Sequence, residues 1–107
     1  MITLLLAIAA ASSAPYTCNQ SSTNDLVGCA LSKYKHSEVA LNRQWKSMEH
    51  SPKLLKAQRA WLSYRGAWCE AANIASPEGS LYPVSKYLCL AELNDEQVKR
   101  LREIGER

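Results

Sequence analysis

Leu54-Leu55-Lys56-Ala57-Gln58-Arg59-Ala60-Trp61-Leu62-Ser63-Tyr64-Arg65-Gly66-Ala67-Trp68-Cys69 is the stretch whose reading decides the fold. Leu54, Gln58, Trp61, Arg65, Trp68 and Ala72 recur at alternating spacings of four and three residues, the rhythm of one helix face. Two of those six are polar, Gln58 and Arg65. A guanidinium on an apolar stripe needs a partner, because burying it alone is very costly.

The preceding segment supplies one. Val27, Leu31, Tyr34, Glu38, Leu41, Trp45 and Met48 keep the same rhythm and carry a single charge, Glu38. Between the stripes lies Glu49-His50-Ser51-Pro52, where Ser51 suits a helix cap and Pro52 its first position. Folding the helices back on that turn gives an antiparallel hairpin whose facing positions add to about 102–103. Met48 then meets Leu54, Trp45 meets Gln58, Leu41 meets Trp61, Glu38 meets Arg65, and Tyr34 meets Trp68. Glu38–Arg65 reads as a structural, register-setting ion pair rather than a catalytic one.

Working outward to the N-terminus, Met1 to Ala14 is Leu, Ile and Ala with a small-residue tail and no charged side chain. This apolar core is too short to span a bilayer as a helix. It has the form of a secretory signal peptide, with cleavage expected after Ala11 or Ala14. Residues 15–107 then form one small helical domain. Pro15-Tyr16-Thr17 before Cys18 are too bulky for a lipoprotein signal, so no stable membrane anchor is expected. A core of fewer than about 100 residues is marginal unless something staples it. Cys18, Cys29, Cys69 and Cys89 are an even set, and an exported chain uses such a set as disulfides, with three connectivities open. Cys69–Cys89 would close a loop and Cys18–Cys29 would pin the N-terminal arm. A zinc site is disfavoured: there is no Cys-x-x-Cys, and His36 and His50 lie far apart.

The first helix is expected to begin near Thr23 or Asn24 and to run to about His50. Beyond Cys69, Ser76-Pro77-Glu78-Gly79-Ser80-Leu81-Tyr82-Pro83 reads as a loop. One or two short C-terminal helices follow. The first runs from about Ser85 to Leu93. Asn94 restarts the chain as a cap, with Gln97 at capping-box spacing, and Val98, Leu101 and Ile104 form the last apolar stripe. The expected architecture is therefore all-α: an antiparallel two-helix hairpin with one or two short C-terminal helices, disulfide-stapled.

The run Lys56-Ala57-Gln58 with Trp61 and Arg65, followed by Cys69, Gly79-Ser80 and Cys89, resembles the LprI family of small secreted bacterial proteins, named for a lysozyme-inhibitor lipoprotein. Leu41-Asn42 fits the same pattern. Four positions depart from it. Glu38 stands where the family tends to have Asp, Trp45 where it has Tyr, Gly66 where an Asp follows the arginine, and Gln97 where Arg is common. The first two are size changes within the same chemistry; the last two remove charges. The resemblance implies a helical, exported, non-enzymatic protein, periplasmic or secreted, that inhibits lysozyme.

Inhibition means blocking a cleft that holds two catalytic carboxyl groups. The loop offers the tools: Glu78, Ser80, Leu81 and Tyr82 form the expected partner-binding surface, with Tyr82 as aromatic anchor. Charge opposes this. With 13 Lys and Arg against 10 Asp and Glu the chain is +3, and like charges slow the encounter with a cationic lysozyme unless Glu70 and Glu78 make a local acidic patch. The alternative is an envelope binding or scaffold module with no lysozyme activity. The residues show no nucleophile–base–orienter set and no phosphate-cradling glycine loop, so no enzyme, metal or cofactor is expected. Without a basic-aromatic platform, nucleic acid is not an expected partner either.

Overall fold

Three helices follow one another in the computed structural model, which describes Cys18 and residues 22–107. The expected signal peptide lies outside the described residues, as do residues 15–17. Helix α1 is Thr23–Lys46, α2 is Pro52–Ala71 and α3 is Tyr82–Gly105. No strand occurs among the described residues.

Each of the first two helices starts where a side chain can satisfy an orphan amide. The Ser22 hydroxyl accepts from Asp25 N at 3.1 Å, and the Ser51 hydroxyl accepts from Leu54 N at 3.1 Å, with Pro52 in the first turn. Helix α1 stops at Lys46, short of His50. The reason is visible in the turn: His50 Nε2 bonds the Trp45 carbonyl at 2.6 Å and its ring stacks on Trp45 with centroids 3.8 Å apart. The histidine thus adds a side-chain contact to a carbonyl that the backbone reaches only at 3.4 Å, from Met48 N.

The C-terminal part differs from the expectation of one or two short helices. Tyr82–Gly105 is one unbroken helix of 24 residues. Asn94 does not cap a new helix. It is fully buried, and its amide bonds sideways to neighbouring helices rather than to its own backbone.

Helices α1 and α2 run antiparallel through the short turn at 47–51, and Glu38 and Arg65 stand together across them. Helix α3 returns parallel to α1: Tyr34 stacks on Tyr87, Ser37 bonds Asn94, and Met48 lies beside Gly105. The α1–α3 seam is the closest packing in the molecule. Ala30 and Ala91 are wholly buried and Ser37 nearly so, and such small side chains let two backbones approach. The apolar core is Leu41, Trp61, Val98 and Leu101, ringed by Trp45, Met48, Leu54 and Leu93. Burying a leucine such as Leu101 stabilises by roughly 1.5–3 kcal/mol.

One pairing from the stripes is corrected. Tyr34 does not meet Trp68. It turns toward α3, while Trp68 is half-exposed and stacks on Tyr64 along the outside of α2, centroids 6.0 Å apart. Cys69, one residue on, takes the inward position because its sulfur is bonded to α3. Both bridges are present: Cys18–Cys29 and Cys69–Cys89, with Cα atoms 5.5 Å and 5.7 Å apart. The second ties the end of α2 to the start of α3.

Candidate functional site

Two polar features stand out, one inside the bundle and one at its end. The inner one holds all three helices in register. Arg65 Nη1 donates to Glu38 Oε1 and, at 2.7 Å, to Asn94 Oδ1. The Asn94 amide nitrogen donates to Ser37 Oγ at 2.9 Å and to Glu38 Oε1 at 3.0 Å. Ser37 in turn donates to the Tyr34 carbonyl at 2.7 Å. Both hydrogens and the oxygen of the Asn94 amide are therefore used. Burial, and then the Glu38 carboxylate, push the Tyr34 phenol above its ordinary pKa, since both oppose a phenolate. Gln58 donates nothing to α1: its oxygen accepts from Gln97 Nε2 at 2.9 Å. The Arg65 guanidinium also lies over the Trp61 ring at 5.3 Å. Trp61 Nε1 and Arg65 Nε are buried without a hydrogen-bond partner among the described residues. Every group in this network faces another helix, which suits a fastening rather than a reaction centre.

The outer feature is the connection between α2 and α3, residues 72–81. Asn73 shapes its first part: its Oδ1 accepts from Ala75 N at 3.0 Å and its Nδ2 donates to the Tyr82 carbonyl at 3.1 Å. A tight turn follows, closed by Gly79 N to Ser76 O at 2.8 Å. A Cβ on Gly79 would sit 3.2 Å from that carbonyl, so glycine suits the close approach. Ser76 Oγ donates to Glu78 Oε2 at 2.8 Å and thereby holds the Glu78 carboxyl below its usual pKa. With the Cys69–Cys89 bridge at its base, the loop is fastened at both ends.

Glu78 and Ser80 are exposed, and Leu81 is 51% exposed. Tyr82 is not the free loop aromatic that the composition suggests. It opens α3, is half-buried, and its hydroxyl donates to Glu70, which also faces Lys86 Nζ at 3.9 Å. That hydrogen bond raises the Tyr82 pKa. Among the described residues the most exposed large apolar side chain is instead Ile74, at 99%. Sequence reading passed over it because it sits just beyond the helix stripe; its signal is a β-branched apolar residue directly after the Asn73 turn. Ile74, Leu81, Val84, Leu88 and Glu92 are among the residues that line an open groove of about 690 Å³. Among the described residues no group of three or more His, Cys, Asp or Glu side chains is placed to hold a metal ion. No helix among them is long and apolar enough to cross a membrane.

Fold and loop together define a small three-helix, two-disulfide scaffold that displays one fastened loop. The chain belongs to the lysozyme inhibitor LprI family, whose pattern it matches over residues 17–101. It is also similar to an uncharacterised protein of Rhizobium meliloti (strain 1021), 32% identical over 101 residues, a span covering 77% of this chain and 73% of the relative. No solved structure matches it.

Proposed function

We propose that this is an exported, non-catalytic protein of the cell envelope that inhibits a lysozyme through the loop of residues 72–81. Family membership supports the target, and two disulfides suit an oxidising compartment, periplasmic or extracellular. The observation that carries the choice of surface is the exposed pair Ile74 and Leu81 on a loop fastened by Cys69–Cys89, Asn73 and Tyr82. A fastened loop loses little conformational freedom on binding, so more of its contact energy appears as affinity.

Charge favours the same surface. The chain as a whole is +3, which opposes a cationic lysozyme. The loop end, however, carries Glu78, held ionised by Ser76, and Glu92 in the groove lining. Apolar contact from Ile74 and Leu81 at an end of the molecule that also carries two carboxylates is the chemistry that a cationic rim around a cleft accepts. Tyr82 serves here as an anchor for the loop rather than as the contact itself.

The test is a muramidase assay on a panel of lysozyme classes with the purified, oxidised protein and its variants. Ile74→Asp and Leu81→Asp should each weaken inhibition by about 30-fold or more, the effect of losing an interface hot spot of ~2 kcal/mol. Both residues are exposed, so the variants keep the fold. If the wild type inhibits no lysozyme class, the inhibitor reading fails and an envelope binding or scaffold role replaces it. Inhibition that survives both substitutions moves the contact to another surface.

A further inference from the structure

The outward side of α2 is not the charged surface that a solvent-facing helix normally presents. Ala57, Ala60, Tyr64, Ala67, Trp68 and Ala71 fall at heptad-like spacings along it, and all six are exposed. Tyr64 and Trp68 keep 48% and 50% of their surface in solvent while stacking on each other. Among the described residues nothing covers this strip, and the loop proposed above to contact lysozyme does not use it.

We propose that this strip binds a second copy of the same chain, as an antiparallel pair of α2 helices related by a two-fold axis beside Ser63. The charges along its edge argue for that occupant. Lys56 and Glu70 flank the strip on one side, each seven residues from Ser63. An axis at Ser63 therefore sets Lys56 of each copy opposite Glu70 of the other, twice over, as a self-complementary interface requires. The sizes suit close packing too: Tyr64 of one copy meets Ala60 of the other, a large side chain over a small one, and Ala57 meets Ala67, where two methyl groups let the helices approach. The contacts of Glu70 with Tyr82 and Lys86 run through Oε1, which leaves Oε2 to accept from the ammonium across the axis.

The strip also limits the strength. A 20-residue helix is about 30 Å long. Two such strips roughly 10 Å wide bury on the order of 600 Å² in all, below the ~1,200 Å² of stable complexes. The pair is a weak, concentration-dependent dimer, with a dissociation constant on the order of 100 µM.

Sedimentation equilibrium of the oxidised protein from roughly 10 µM to about 1 mM, a range that brackets this affinity, tests it. The wild type should shift from monomer to dimer. Ala60→Glu, at an exposed helical position, should stay monomeric throughout with an unchanged circular dichroism spectrum. Lys56→Glu should weaken the dimer about tenfold or more, and adding Glu70→Lys should restore it, which no purely structural role for either residue reproduces. A wild type monomeric at about 1 mM overturns the proposal, as does a dimer indifferent to Ala60→Glu. So does a monomeric wild type whose lysozyme inhibition is lost in Ala60→Glu, since the strip then belongs to the enzyme.

Discussion

The two seams that α1 makes are built differently. Against α3, which lies far along the chain, it packs backbone to backbone over Ala30, Ser37, Ala91 and Asn94, all buried. Against α2, its neighbour through a five-residue turn at 47–51, it reaches across with long side chains: Arg65 to Glu38, and Trp61 to Leu41. A crevice of about 230 Å³, lined by residues such as Asn42, Trp45 and Leu62, remains between them. A short connection fixes which helices are antiparallel neighbours, yet the size of the side chains at the contact decides which pair comes close. The open seam should therefore tolerate added bulk but not the loss of a charge, and the closed seam should not tolerate added bulk.

The largest effect expected from breaking this contrast is at the open seam. Arg65→Ala leaves the Asn94 oxygen without its donor and the Glu38 carboxylate without its cation, with only the neutral Asn94 amide still donating to it. The Arg65 side chain is 15% exposed and that of Glu38 29%, so water relieves part of the loss. A destabilisation of about 3 kcal/mol should appear in the denaturant midpoint, at the lower end of what breaking a buried pair costs. A wild-type midpoint would mean that the side chains do not span the gap.

A matched pair of bulk increases sharpens the contrast. Ala91→Leu forces a large side chain into the closed seam and should cost about 1–3 kcal/mol. Asn42→Phe adds comparable bulk beside the open crevice and should change stability by less than about 0.5 kcal/mol. Equal costs in thermal melts would dissolve the distinction between the seams.

The smallest effect is in alkali. Tyr34 stands where α1, α2 and α3 meet, and its folded pKa lies above that of the unfolded phenol, 10.0. Its contribution is full below pH 10 and is lost as pH rises through the folded value. Stability should therefore decline above pH 10 more steeply in the wild type than in Tyr34→Phe. Parallel profiles would place the Tyr34 hydroxyl in water.

Much of the hairpin was legible from spacing because helical periodicity and cap chemistry are local. Ser51-Pro52 marks the start of α2 through one hydroxyl and one ring, and the opposition of Glu38 and Arg65 follows from counting turns. Asn94 was read as a cap because asparagine is a good one, and only its three interhelical bonds make it a mid-helix residue. Trp68 shows the same limit. Periodicity puts Trp68 and Cys69 equally close to the inward face, and the bridge to Cys89 selects the cysteine. At the loop, composition pointed to Tyr82 and passed over Ile74, because exposure depends on where Glu70 lies to receive the phenol.

What the amino-acid order determined alone is the helical class, the antiparallel turn and the apolar stripes, since 3.6-residue periodicity and capping act within a few residues. The disposition of α3 was decided only in three dimensions. Its parallel course beside α1, its continuity through Asn94 and the exposed faces of α2 and the loop depend on contacts between residues some 20 to 60 positions apart. No local rule ranks those contacts, because their free energy is set by the volume and polarity of whichever side chains the other helices bring.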